Sequence, residues 1–309
     1  MFVKRAINWV AGVLGGDASR KTLAESSGFV VLVLCYHSWA VDGRGYESDN
    51  HLALESDLKT LAGRSYRVIP LPALVEVLRG ERSSGPLAGA KLVGLSFDDG
   101  WDYDYCDIED GRGNRAVSIR SILKQSRQWL PQVCEGPRGV SFVIASPEAR
   151  PLLERTCGAG LDRWRDVWWA PCAAEGVVGI ANHSWDHVHD TLPVVRQREN
   201  KKGSFFAIDS FEDAEGQIAD AQRYINEKTH GRALPLFGYP YGHVSAYLRD
   251  IYFPEHGARL GLRAAFCTGG ASVRLDTPIW AIPRFVCGEH WKTKNDFSAL
   301  LDAVERGER

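Results

Sequence analysis

The chain has 309 residues, 44% hydrophobic and 25% charged, a globular composition with length for one large domain or two modest ones. Lys and Arg number 37 against 39 Asp and Glu, so the net charge of −2 offers no basic field, and neither nucleic acid nor an anionic membrane is an expected partner. Seven cysteines without a C-x-x-C pair give no sign of a zinc or dithiol motif and read as buried reduced thiols.

In residues 1–27, Lys4 and Arg5 precede AINWVAGVLGG, a run that reads as a weak signal or an amphipathic helix and lacks an A-x-A cleavage site. A cytoplasmic location is expected, with an exported or periplasmic one as the alternative if that run is a signal. No stretch reaches the roughly 18 apolar residues of a membrane span. FVVLVLCYH (Phe29 to His37) has the pattern of a strand buried on both faces. Leu54, Leu58 and Leu61 recur at helical spacing, and Leu74, Val75 and Leu78 do so again after Pro70 and Pro72. KLVGLSF is the next strand; a Gly- and Asp-rich loop and a helix carrying Ile119, Ile122, Leu123, Trp129 and Leu130 follow it. VSFVIA, VVGIAN, LPLFGYP, LRAAFC and IWAIPRF continue the strands, with helices near Ile218 to Ile225, after Ser245 and around Phe297 to Val304. Strands alternating with helices predict a parallel α/β barrel or open sheet, here one catalytic domain over 28–309 with polar insertions near 101–116 and 190–212.

LSFDDG, NHSWDH and FGYPYG each follow a strand-like run, and sites in parallel α/β folds assemble at the C-terminal strand ends. A hydrolytic metal site needs N and O ligands with a position left open for water, and a base that is not itself a ligand. Asp98, Asp99, His183 and His187 supply such a set. The four-residue spacing of the histidines predicts both imidazoles on one side of a helical turn. Each motif alone has a plainer reading, DDG as a turn or cap, H-x-x-x-H as surface, FGYPYG as a tight bend. It is their joint occurrence after strands that points to one site. No glycine-rich phosphate cradle accompanies them.

The three motifs resemble those of the polysaccharide deacetylase family (carbohydrate esterase family 4, NodB-homology domain). LSFDDG is similar to its T-F-D-D-G, His183-Ser184-Trp185-Asp186-His187 to its H-[S/T]-x-x-H, and Phe237 to Gly242 to the F-A-Y-P-Y-G of one branch. VLCYH and FVIA resemble two of its strands, and the likeness spans roughly residues 28 to 290. The resemblance implies a deformed (β/α)7-like TIM-type barrel and a metal-dependent hydrolase that removes N-acetyl groups from amino sugars of a poly- or oligosaccharide. Alternatives are loss of another acyl group (formyl or O-acetyl) and a catalytically weak glycan-binding homologue. It further implies Asp99, His183 and His187 as ligands of a divalent metal, commonly Zn, with Co, Ni, Fe or Mn as alternatives. Asp98 is the implied base, and the Tyr241 backbone N–H, between Pro240 and Gly242, the implied oxyanion donor. The family's final L-x-H motif is not evident; His37 is the first candidate for the general acid, ahead of His243 and His290. The third-motif Arg is also missing. Arg284 is the candidate to orient the base in its place, and Asp276 and Trp280 could stand for the fourth motif.

Overall fold

Short aliphatic and β-branched runs form the strands: β1 (Val31–His37), β2 (Arg67–Val68), β3 (Leu92–Asp99), β4 (Ile108–Glu109), β5 (Arg115–Ala116), β6 (Gly139–Val143), β7 (Val178–Asn182), β8 (Leu236–Gly238), β9 (Ala264–Cys267), β10 (Ile282–Pro283) and β11 (Phe285–Val286). This computed structural model describes residues 28–309 other than 39, 40, 42, 110–114 and 159. The expected signal or amphipathic helix of residues 1–27 lies outside the described residues.

The main sheet runs β10-β9-β8-β7-β6-β3-β1-β11 with parallel pairing throughout, and β2 adds to β3. The two outermost strands are halves of one segment, separated only by Arg284. Ile282 and Pro283 pair with Phe266 and Cys267 of β9, whereas Phe285 and Val286 pair with Leu34 and Cys35 of β1. Residues 282–286 therefore bridge the sheet's two edges, and seven staves make the nearly closed barrel that the sequence predicted.

The surrounding helices are α1 (Asn50–Gly63), α2 (Leu71–Leu78), α3 (Ile119–Ser126), α4 (Ala149–Cys157), α5 (Trp169–Glu175), α6 (Phe211–Ala214), α7 (Asp220–Lys228), α8 (Phe253–Leu260) and α9 (Lys294–Glu305). A π turn, Glu215–Ala219, joins α6 to α7. Asp49 caps α1 by accepting from the His51 and Leu52 amides. The third helix ends at Ser126, short of the apolar stripe that runs on to Leu130. Pro131 disfavours helix at the residue before it, and the buried Arg138 donates to Ser126 Oγ and to the Leu130 carbonyl instead.

Alternation along the staves separates the core into layers. Val31, Val33, Val140, Phe142, Leu236, Phe266 and Ile282 pack together with α2, whereas Leu32, Leu34, Val93, Leu95 and Phe97 belong to a cluster with α1, α3 and α9. Gly94 admits α2 to the barrel, since a Cβ there would stand 2.6 Å from Leu71 Cδ2. All seven cysteines are free, but Cys157 is exposed and Cys106 and Cys134 half-buried, contrary to the expectation of buried thiols. Cys157 ends α4 at the rim of the cavity described below, where no core covers it. No helix among the described residues is long and apolar enough to cross a membrane.

Candidate functional site

The C-terminal ends of β1, β3, β7 and β8 open into one cavity of about 400 Å³, lined by His37, Asp98, Asp99, His183, His187 and Tyr241 among others. Three sequence motifs and the end of the first strand thus meet at one rim. His37 stands opposite Asp98 in the β1–β3 register. Backbone strain collects here: Asp99 (φ 78°), Ser184 (71°), His187 (63°), Val188 (50°) and Tyr241 (57°) all lie in the left-handed region. For the β-branched Val188 this is a genuine outlier, and such strain is typical of functional sites.

Asp98 sits on the same side of β3 as Ser96 and is buried. Arg284, fully buried, grips it with both arms, Nη1 to Oδ1 at 2.6 Å and Nη2 to Oδ2 at 2.8 Å, and reaches Ser96 Oγ at 3.2 Å. The fork geometry of guanidinium and carboxylate makes this a strong, directional pair. Burial opposes ionisation of Asp98, but the Arg284 cation overcomes it and holds the carboxyl well below the usual carboxylate range. The residue that bridges the barrel is thus also the partner of Asp98.

Asp99, His183 and His187 bring one donor atom each within 4.8 Å of one another. His183 Nε2 is 3.7 Å from Asp99 Oδ1, and His187 Nε2 is 4.0 Å from the same oxygen. These separations are too long for hydrogen bonds, whereas two donors each about 2.1 Å from one ion lie within about 4.2 Å of each other. His183 Nδ1 must donate to the Gly238 carbonyl at 2.8 Å, which orients the ring with Nε2 towards Asp99. A Cβ on Gly238 would stand 3.1 Å from that same Nδ1, so glycine permits the contact. Burial, aided by His183 and His189, pushes the His187 imidazole well below its ordinary value and keeps it neutral. Two imidazoles and a carboxylate are a fitting donor set for a divalent ion.

The histidine pair is not on a helical turn, contrary to the spacing argument. Residues 183–190 form an irregular loop in which the left-handed residues, rather than helical periodicity, bring the imidazoles to a centroid distance of 5.0 Å. Side-chain acceptors replace helical bonds. Asn182 Oδ1 takes the Ser184 amide, Ser184 Oγ takes the His187 amide, and Asp186 takes the amides of Val188 and Arg196 and the Gln217 side chain.

Behind the rim lies a second buried carboxylate, Asp104. It accepts from Ser38 Oγ at 2.6 Å and Ser141 Oγ at 2.5 Å, and Ser38 Oγ also meets His51 Nε2 at 2.9 Å. Among the described residues no cation pairs with it; burial, with further repulsion from Asp99 and Asp98, pushes its carboxyl up to about 7. His51 Nδ1 faces the Val117 carbonyl at 2.7 Å and so carries a proton. Ser38 has one proton to give, so the chain Asp104–Ser38–His51 closes only if either Asp104 or His51 holds an additional one.

Of the remaining predicted residues, Gly242 lines the cavity beside Tyr241 while Pro240 is buried. His243 and His290 are not among the lining residues; His290 Nδ1 accepts the Val286 amide at 2.9 Å. Trp280 stacks on Phe253 of α8 at 5.0 Å, and Asp276 is exposed on a turn, so the structure does not bring these two to the site. Sequence reasoning missed the stacked Trp101 and Trp164, 4.2 Å apart, whose Trp164 Nε1 donates to the Asp99 carbonyl at 2.9 Å. It also missed His189, Cys157, Thr268 and Glu289 on the cavity wall. Only His189, two residues beyond His187, carried a signal in its motif.

No family model and no curated relative matches the sequence. Solved structures do. IcaB from Ammonifex degensii is 19% identical with a TM-score of 0.58, covering 89% of this chain and 97% of its own. Streptococcus pyogenes deacetylase PplD, solved in complex with acetate, is 14% identical at TM-score 0.57, covering 89% and 98%. BC0361, a polysaccharide deacetylase from Bacillus cereus, is 13% identical at TM-score 0.51, covering 89% and 69%. Over 89% of its length, this chain has the deformed barrel fold of the polysaccharide deacetylases.

Proposed function

We propose that this chain is a metal-dependent hydrolase that removes N-acetyl groups from the amino sugars of a poly- or oligosaccharide. The observation that carries this reading is the division of labour between adjacent aspartates. Asp99 faces His183 and His187 as a ligand would, while Asp98 is ionised, gripped by Arg284 and left free to take a proton. A divalent ion held by Asp99, His183 and His187 would supply Lewis-acid chemistry, making water more acidic and polarising the amide carbonyl. Zinc suits two imidazoles and a carboxylate.

Asp98 accepts the proton of the attacking water. Each of its oxygens retains a lone pair beyond the one given to Arg284, and Oδ2 lies 3.9 Å from His183 Nε2, on the ligand side. Arg284 fixes the orientation of Asp98 and keeps it unprotonated. His37 sits across the register from Asp98 and lines the cavity, a position from which an imidazolium can protonate the departing amine. The Tyr241 amide is the proposed donor to the oxyanion. The Asp98–Arg284 pair supplies the cation absent from the third motif, which favours turnover over a binding-only homologue.

The test is acyl release from acetylated amino-sugar oligomers, with and without chelator, alongside metal analysis. We expect release that chelation stops, and about one divalent ion per chain that His183→Ala loses. Metal-replete protein releasing nothing from any acylated sugar would overturn the reading.

A further inference from the structure

The insertion at 190–212 is fastened to the histidine loop. Gly203 donates its amide to the Val188 carbonyl at 2.8 Å, the Arg196 amide bonds Asp186, and Leu192, Val195 and Phe205 are buried. Phe205 packs 6.0 Å from Phe237 of β8, which turns its neighbour Phe206 outward; Phe206 is 56% exposed. One face of Phe206 is stacked on His243, with centroids 4.5 Å apart and planes 14° from parallel, and Ser204 Oγ meets His243 Nδ1 at 3.3 Å. The exposure is therefore that of the opposite face and the edge.

A continuous series of rings leads from this outer phenyl group to the ligand set. His243 is 5.3 Å from Tyr241, and Tyr241 is 4.3 Å from His187. Exposure rises outward, from buried His187 through half-buried Tyr241 and His243 to exposed Phe206. Such a track is longer than one pyranose ring. Because the insertion is hydrogen-bonded to the loop that carries the ligands, its position relative to the reacting amide is preset, and little ordering is required on binding.

We propose that Phe206 is a stacking platform for a sugar unit remote from the one being deacetylated, so that the substrate is a chain extended over the 190–212 insertion rather than a lone sugar. This rests on the deacetylase reading and deepens it. Pyranose rings carry an apolar C–H face that an aromatic ring with one open face accommodates. The platform acts on binding of the chain and does not touch the reacting atoms.

The test compares wild type, Phe206→Ala and Phe206→Tyr on a monomer-to-hexamer series of N-acetylglucosamine, with calorimetric titration of the hexamer beside the kinetics. In Phe206→Ala we expect KM for the hexamer to rise roughly fivefold with kcat unchanged, no change for the shortest substrates, and recovery in Phe206→Tyr. Hexamer binding should weaken by the same factor whether or not turnover is seen. An active wild type whose Phe206→Ala variant shows an unchanged hexamer KM, or an equal rise at every length, overturns the platform and leaves the deacetylase reading standing. Wild type that releases no acyl group from any oligomer overturns that reading, and the titration then decides the platform; no hexamer binding by wild type overturns it. A wild-type dimer that Phe206→Ala dissolves assigns this face to a second copy and also overturns it.

Discussion

Asp98 and Asp104 are both buried near the same end of the barrel, yet their environments send them in opposite directions. Asp98 faces a guanidinium and is held ionised; Asp104 faces two hydroxyls and holds its proton to about pH 7. Burial is common to both, so the charge of the partner decides the protonation state. Hydroxyl groups satisfy the hydrogen bonds of a carboxylate without supplying the charge that keeps it ionised.

The largest test of this contrast is Asp98→Asn. Removing the proton acceptor should lower kcat/KM about 1,000-fold, within the range for general bases, while metal content stays near that of wild type. Next is Arg284→Met, which strands a buried carboxylate and should cost about 3–5 kcal/mol in urea unfolding. Its pH dependence has a definite sign. The folded carboxyl of Asp98 lies below its unfolded value, so the stability it confers is present above the ordinary carboxylate range and is lost on acidification. The gap between Arg284→Met and wild type should therefore be widest at neutral pH and narrow as pH falls. In the variant burial acts on the Asp98 carboxyl without its cation and raises it, so protonation of that carboxyl between pH 7 and pH 4 restores stability to the variant; equal gaps at the two pH values would show that charge pairing is not the cause.

Asp104→Asn should behave in the opposite sense. The folded carboxyl is raised above its unfolded value, so the stability it contributes is full below that unfolded value and is lost as pH rises through about 7. The Asn variant, unable to ionise, should be more stable than wild type above pH 7, by up to about 4 kcal/mol, with the difference closing below about pH 4. Ser38→Ala is the smallest effect, about 1 kcal/mol at pH 5 for a lost hydrogen bond, growing above pH 7 where Asp104 must ionise with one donor fewer. Thermal unfolding across pH measures both.

The strands, their order along the chain and the rim location of the motifs were legible because periodicity and composition are local. KLVGLSF and its DDG tail already contain the proposed base and one proposed ligand, and the HSWDH run contains the other two. The geometry of that run was not legible: a four-residue spacing reads as helix, while the actual loop is set by Asn182, Ser184 and Asp186 acting as acceptors together with left-handed backbone at His187 and Val188. Trp164 was invisible for a different reason. It reaches Asp99 across 65 positions of chain, and no local pattern encodes such a meeting. Arg284 lay between these cases, flagged only because a missing cation needed a replacement.

The bridging segment Ile282–Val286 has a consequence for the order of folding. Until it is made, β1 and β9 are open edges with unpaired backbone groups, the kind of surface on which chains pair wrongly with one another. Asp98, formed much earlier in synthesis, lacks its guanidinium partner until the same five residues arrive. Because these contacts join residues nearly two hundred positions apart, their loop-closure cost falls late in folding. Closing the barrel and pairing the Asp98 carboxylate with its buried cation are one event, so the charge is matched at the moment the sheet loses the edges through which it could aggregate.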